Sequence, residues 1–236
     1  MPPSITYRDI DIEVRRSSRR RTVDLVVDRG GNVVISVPEA LPESEILRIL
    51  RQKELWLYRT LGRKQEALYD RRPREYVSGE GFYYLGKTYR LKVHHAAESS
   101  ASPPSLALRQ GRFWLARAAV TCGRQAFVAW YTEHAEAWIK NRLPLLAERV
   151  GVRPRSVRVI ELGFRWGSCG KGGALNFNWR TILLPPEKVR YVILHELVHL
   201  LETSHDATFY ERLRCACPEY KAHETWLEEN GDRYDL

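Results

Sequence analysis

Tyr191-Val192-Ile193-Leu194-His195-Glu196-Leu197-Val198-His199, followed by Leu200-Leu201-Glu202-Thr203-Ser204-His205, holds an HExxH string inside an apolar run. On a helix, His195 and His199 fall on one face, close enough to share a metal ion. Glu196 sits beside the first imidazole, where a carboxylate can take a proton from an activated water and pass it to a leaving group. The apolar flanks suit a helix buried beneath a site. His205 follows His199 by six residues, the ligand interval of the longer string H-E-x-x-H-x-x-G-x-x-H, with Glu202 standing where that string has glycine. In an unbroken helix His205 would lie about 15 Å along the axis from His195, too far to bind the same ion. The helix is therefore expected to end near Leu201 to Thr203, with Thr203 or Ser204 capping a new helix and Asp206 in the capping-box position. Glu202 and Asp206 are the substitute third ligands.

Outward from this segment, Pro185 and Pro186 stop a strand expected over Leu175 to Leu184 and open the metal helix. A strand over Val157 to Leu162 precedes it, across a glycine-punctuated turn. Apolar positions three and four apart from Ala126 to Val150 predict a long core helix that Pro144 ends or kinks. Alternation through Ile5, Tyr7, Ile10, Val23, Leu25, Val27 and Val33 to Val37 predicts antiparallel strands around the Gly30 turn, followed by a helix from Pro42 to Leu61. Strands resume at Phe82 to Leu85, Tyr89 to Val93, Leu106 to Leu108 and Phe113 to Leu115, interrupted by a low-complexity loop from Ala96 to Pro104. The pattern is α+β, with a strand-rich region containing one helix over 1–120 and a catalytic domain over 121–236. No repeat of fixed period is visible.

With 44% hydrophobic residues in a chain of 236, there is enough apolar surface for one large core or two modest ones. No apolar run reaches the roughly 18 residues needed to cross a bilayer, and Arg8, Asp9, Asp11 and Glu13 interrupt the start of the chain, so the expected location is cytoplasmic and no membrane partner is expected. Cys122, Cys169, Cys215 and Cys217 match neither a zinc ribbon nor a disulfide framework and read as reduced thiols. A formal charge of +9 favours an anionic partner, such as a nucleotide, a nucleic acid or an acidic polypeptide. Arg15-Arg16-Ser17-Ser18-Arg19-Arg20-Arg21 could grip phosphates, although no interleaved aromatic supports more than a solvated face.

Arg165-Trp166-Gly167-Ser168-Cys169, Leu175-Asn176-Phe177-Asn178-Trp179-Arg180, the HExxH segment, His205 and Phe209-Tyr210 together resemble the YgjP-like metal-dependent hydrolases. Ser204, Asp206 and Tyr210 depart from residues common in that family. The resemblance implies a zincin-like metallopeptidase core related to the SprT-like group, one Zn2+ held by His195, His199 and His205, and Glu196 as the catalytic residue. It also implies a choice of substrates, since the family carries an assignment as a UTP pyrophosphohydrolase. A polypeptide is the expected substrate. In zincins the strand before the metal helix commonly binds an extended substrate, and Leu175 to Arg180 is the candidate, presenting Asn176, Asn178 and Arg180 on its polar face. Arg165, Arg180 and Tyr210 are the candidate oxyanion donors. His223 is a candidate supporting group. A nucleic-acid-binding or adaptor protein with a purely structural zinc is the reading from another class.

Overall fold

The computed structural model describes residues 3–28, 30–69, 73–95 and 105–236, and the expected loop from Ala96 to Pro104 lies outside them. The architecture is α+β, in two compact units divided between Arg72 and Pro73. In the first unit β1 (Ser4–Tyr7), β2 (Ile10–Ser17), β3 (Asp24–Val27) and β4 (Val33–Pro38) form a sheet in the order β1-β2-β4-β3, followed by α1 (Glu43–Tyr69). Alternation buries Ile12 and Val14 of β2 with Val33, Ile35 and Val37 of β4, and Ile46, Leu50 and Leu57 of α1 complete this aliphatic core. The Arg15 to Arg21 run begins on β2, where Arg15 pairs with Glu13 at 2.6 Å and Arg16 donates to the carbonyls of Glu39 and Leu41.

The second unit contains β5 (Gly81–Tyr84), β6 (Lys87–His94), β7 (Leu106–Arg109), β8 (Arg112–Ala116) and α2 (Gly123–Val150), which runs on through Pro144. After them come β9 (Ser156–Ile160), β10 (Gly167–Gly170), β11 (Ala174–Asn178), α3 (Pro186–Val198), α4 (Ala207–Ala216) and α5 (Tyr220–Asn230). The division expected near residue 120 is corrected here, because β5 to β8 share a core with α2 and α3. Aromatic packing is the reason: Phe127 of α2 stacks on Phe82 of β5 at 4.0 Å and meets Phe113 of β8 edge-on at 5.1 Å. The second sheet of this unit has the order β10-β11-β9, with β11 parallel to β9 and antiparallel to β10. No helix among the described residues is long and apolar enough to cross a membrane.

The two four-stranded sheets have the same topology. β5-β6-β8-β7 repeats the order β1-β2-β4-β3, each with an antiparallel first pair, a parallel inner pair, an antiparallel last pair and a long helix afterwards. The chain therefore contains a repeat of topology that no fixed sequence period announces.

The β5–β6 turn positions the metal helix. Leu85 and Gly86 donate their backbone N–H groups to the carbonyls of Ile182 and Leu183, each at 2.9 Å, and thereby hold the segment that leads into Pro185 and Pro186. Gly86 has φ 75°, and a Cβ there would lie 2.9 Å from Cα and Cγ of Pro185. Gly86→Ala combines a strained backbone with a collision against another backbone. It is expected to lower unfolding free energy by about 2 kcal/mol, read as a lower denaturant midpoint at unchanged m-value.

Candidate metal centre

Pro186 opens α3 after Pro185, a position where a missing N–H has no cost. Val189, Val192, Ile193, Leu194, Leu197 and Val198 are all buried, so the helix is apolar nearly all round. Regular helix ends at Val198, slightly earlier than the sequence suggests, and the backbone tightens as Leu201 and Glu202 both donate to the Val198 carbonyl. No residue from His199 to His205 has positive φ, so Glu202 makes this turn without glycine. α4 then starts at Asp206, whose Oδ1 accepts from Phe209 N at 3.1 Å; Asp206 itself is the cap, in place of Thr203 or Ser204.

The turn brings the third imidazole back. His205 Nε2 lies 3.0 Å from His195 Nε2 and 3.1 Å from His199 Nε2, and one nitrogen of each ring falls within a group no wider than 4.8 Å. His199 Nδ1 is 2.9 Å from the Glu202 carbonyl oxygen, which only accepts. Nδ1 therefore carries the proton, and Nε2 presents its lone pair to the cluster. Lone pairs crowded this closely on neutral imidazoles are satisfied together by a cation. Phe209 lies against all three rings, at centroid distances of 5.0, 4.6 and 4.7 Å from His195, His199 and His205. Of the substitute ligands, the Glu202 carboxylate instead pairs with Arg212 at 2.9 Å, tying the turn to α4, and Asp206 is committed to its cap.

Glu196 is only 6% exposed, and its Oε2, like His195 Nδ1, is buried with no hydrogen-bond partner among the described residues. Burial pushes the Glu196 carboxyl up to about 8, partly offset by the charge of Arg165. Burial, together with the neighbouring His199 and His205, pushes His195 down to about 3. The buried and unpartnered Glu196 Oε2, beside three converging imidazole Nε2 atoms, completes a set that fits a divalent cation and its solvent. Gly167 of β10 closes the other side, since a Cβ there would lie 2.7 Å from Glu196 Cγ and Oε1.

The expected substrate residues divide. Arg165 is exposed and near enough to influence Glu196, and the Tyr210 ring lies 6.3 Å from that of His205. Asn178 and Arg180 are corrected to scaffold. Asn178 Nδ2 donates to the carbonyls of Gly163 and Arg165, while its Oδ1 accepts from Arg180 N and caps the 3₁₀ turn 179–183 that replaces the expected strand extension. Arg180 Nη1 lies 2.6 and 2.8 Å from the two Glu161 oxygens, and its Nε lies 2.6 Å from Asp235 Oδ1. Asn176 pairs in register with Ser168, on the sheet face opposite Gly167, so it too points away from Glu196. β11 is also the central strand, with both edges already paired, and the edge strands of this sheet are β10 and β9. His223 is not one of the clustered imidazoles: it lies 2.9 Å from Lys188 Nζ and against the Tyr191 ring, whose centroid is 6.0 Å from that of His195.

Gly167 and Phe209 are site neighbours to which the sequence alone assigns no role.

A family model described as YgjP-like, metallopeptidase domain, matches residues 21–230. The chain belongs to the YgjP-like family. Membership makes it a metal-dependent hydrolase of metallopeptidase type, and such a domain implies a divalent metal. The crystal structure of the metallopeptidase zymogen of Pyrococcus abyssi abylysin is similar, with a TM-score of 0.37 and 21% identity over 42% of the YgjP-like chain and 99% of the abylysin chain. No curated protein matches.

If Arg180 serves the scaffold, Arg180→Met should cost about 3 kcal/mol of stability, the low end for breaking a buried ion pair because Glu161 is half exposed. Zinc affinity measured by competition with a chelator should stay within twofold of the parent, about 0.4 kcal/mol.

Proposed function

We propose that this YgjP-like protein is a zinc peptidase binding one ion per chain, with His195, His199 and His205 as ligands and Glu196 as general base. The observation that carries this reading is the convergence of three imidazole Nε2 atoms, at 3.0 and 3.1 Å from His205, beside the buried and unpartnered Oε2 of Glu196. Imidazole sets suit zinc, and structural zinc sites use four protein ligands where this cluster has three, which favours catalysis over a purely structural ion. When bound, zinc supplies Lewis acidity, polarising a carbonyl and lowering the pKa of water to about 7.

The chain's own residues handle the proton. Glu196 takes it at Oε2 as water attacks and delivers it to the amide nitrogen as the bond breaks. Low exposure keeps that carboxylate from competing solvent and strengthens its interactions. Gly167 leaves room for it, and Arg165 and Tyr210 remain the candidate donors to the developing oxyanion.

A peptide is favoured over a phosphoanhydride by the sheet edge. β10 ends its sheet, pairs only with β11 among the described strands, and carries Gly167 against Glu196. An extended polypeptide added along β10 would pass the general base with its backbone in register. Phosphate chemistry finds less support, because Arg180 is bound to two carboxylates.

Glu196→Gln should retain one zinc per chain while kcat on an unstructured polypeptide falls about 10³-fold, the usual scale for losing a general base. Diphosphate release from UTP by the parent, lost in this variant while polypeptide stays intact, would overturn the peptidase assignment. Gly167→Ala should displace the whole buried Glu196 side chain, since an added Cβ would lie 2.7 Å from its Cγ as well as from its carboxylate. Stopped-flow and steady-state assays are expected to show kcat reduced at least about tenfold with zinc content unchanged.

A further inference from the structure

The solvent face of the β5–β8 sheet has a charge pattern that neither the core nor the peptidase reading requires. Residues 81–94 and 106–116 contain Lys87, Arg90, Lys92, Arg109 and Arg112, and no Asp or Glu. Register places Arg90 of β6 opposite Arg112 of β8, which in turn lies opposite Arg109 of β7, so three arginines form one row across three strands. The row spans about 10 Å at the usual strand spacing. All three are exposed, and none makes an ion pair with a carboxylate among the described residues. Like charges directly opposite one another weaken a sheet, so the row is unfavourable to the fold by itself.

One row further along, Lys92 pairs with Trp114, with the Lys92 ammonium 4.3 Å from the Trp114 ring centroid and the His94 ring 5.9 Å away. Trp114 is half-buried on this outer face, and its Nε1 donates to the Arg109 carbonyl at 3.2 Å, which fixes the indole beside the arginine row. Ser78 and Gly79 with Arg90, Lys92 and Arg112 line a groove of about 520 Å³, in which Arg90 Nη1 donates to the Gly79 carbonyl at 2.7 Å.

The other copy of this topology supplies an internal control. On the corresponding face of the first unit, β2 presents Asp11, Glu13 and Arg15 and β3 presents Asp24, with Arg15 paired to Glu13 and Thr6 bonded to Asp11. Identical strand order and pairing are therefore compatible with a mixed-charge face. The cations of the second copy are not demanded by the architecture.

We propose that the outer face of the β5–β8 sheet binds single-stranded nucleic acid, with Arg90, Arg109 and Arg112 contacting phosphates and Trp114 offering a surface for a base. Exposed cations in register with an anchored aromatic are the elements that track a flexible polyanion and stack its bases. A duplex would use the cations and leave the indole idle. This surface belongs to the second unit, whereas the Arg15 to Arg21 run belongs to the first, and it shares no residue with the imidazole cluster.

The test uses the full-length, zinc-loaded chain and a fluorescein-labelled single-stranded oligothymidylate, read by anisotropy over a salt series. Arg109→Glu with Arg112→Glu should weaken binding at least about tenfold and reduce the slope of log K against log salt by about 1.4, two phosphate contacts on a single strand. Trp114→Ala should weaken it roughly tenfold at fixed salt with the slope unchanged. Arg19→Glu with Arg20→Glu, in the first unit, should leave binding within twofold. The proposal is overturned if the β-sheet variants bind like the parent, if the first-unit pair loses as much affinity, or if Trp114→Ala is silent while polyphosphate or anionic vesicles compete as well as the oligonucleotide. Should the glutamate pair fail to fold, Arg109→Gln with Arg112→Gln carries the same expectation in smaller degree.

Discussion

The site depends on α3 ending where it does. An α-helix places residues ten apart far along its axis, so imidazoles 195 and 205 can meet only if the backbone leaves the helix between them. The shared acceptance of two N–H groups by the Val198 carbonyl, the hydrogen bond from His199 Nδ1 to Glu202 O and the Asp206 cap on α4 make that exit a defined turn. The Glu202 backbone orients a ring while its carboxylate holds Arg212, so one residue links the tautomer of His199 to the placement of α4. Phe209, the fourth residue after His205, then fills the space beneath all three rings.

Around this turn the second unit separates rigid support from the surface left open. Arg180, Glu161, Asp235 and Asn178 form a charged and hydrogen-bonded knot behind β11. It keeps the segment between the sheet and α3 from relaxing, and the β5–β6 turn clasps the same segment from the other direction through Ile182 and Leu183. Burial of Glu196 is costly on its own, as its raised pKa records, and that cost is tolerated at a place where a cation is expected to offset it.

Much of the centre was legible in the sequence because its signals are local. HExxH encodes a helical face, and the polar sequence Thr203-Ser204-His205-Asp206 encodes an interruption. The roles of Asn178 and Arg180 were not legible, because strand alternation says which side chains share a face but not which strand lies at the edge of a sheet. Strand order depends on pairings between segments distant in sequence, and β11 becomes central only through its parallel contact with β9. The domain division was missed for a related reason: Phe82, Phe113 and Phe127 are spread over many residues and become neighbours only in space.

Two sheets of one topology in one polypeptide create a hazard during folding, since a strand of either could pair with the wrong set. Their interiors guard against this exchange. The first is filled by Ile12, Ile35, Val37 and Leu50, the second by Phe82, Phe113, Phe127 and Tyr131 packed with Leu91, Leu106 and Leu115, so a strand inserted into the other sheet would leave a void or collide. A difference in core volume of this kind disfavours exchange of strands between the two sheets.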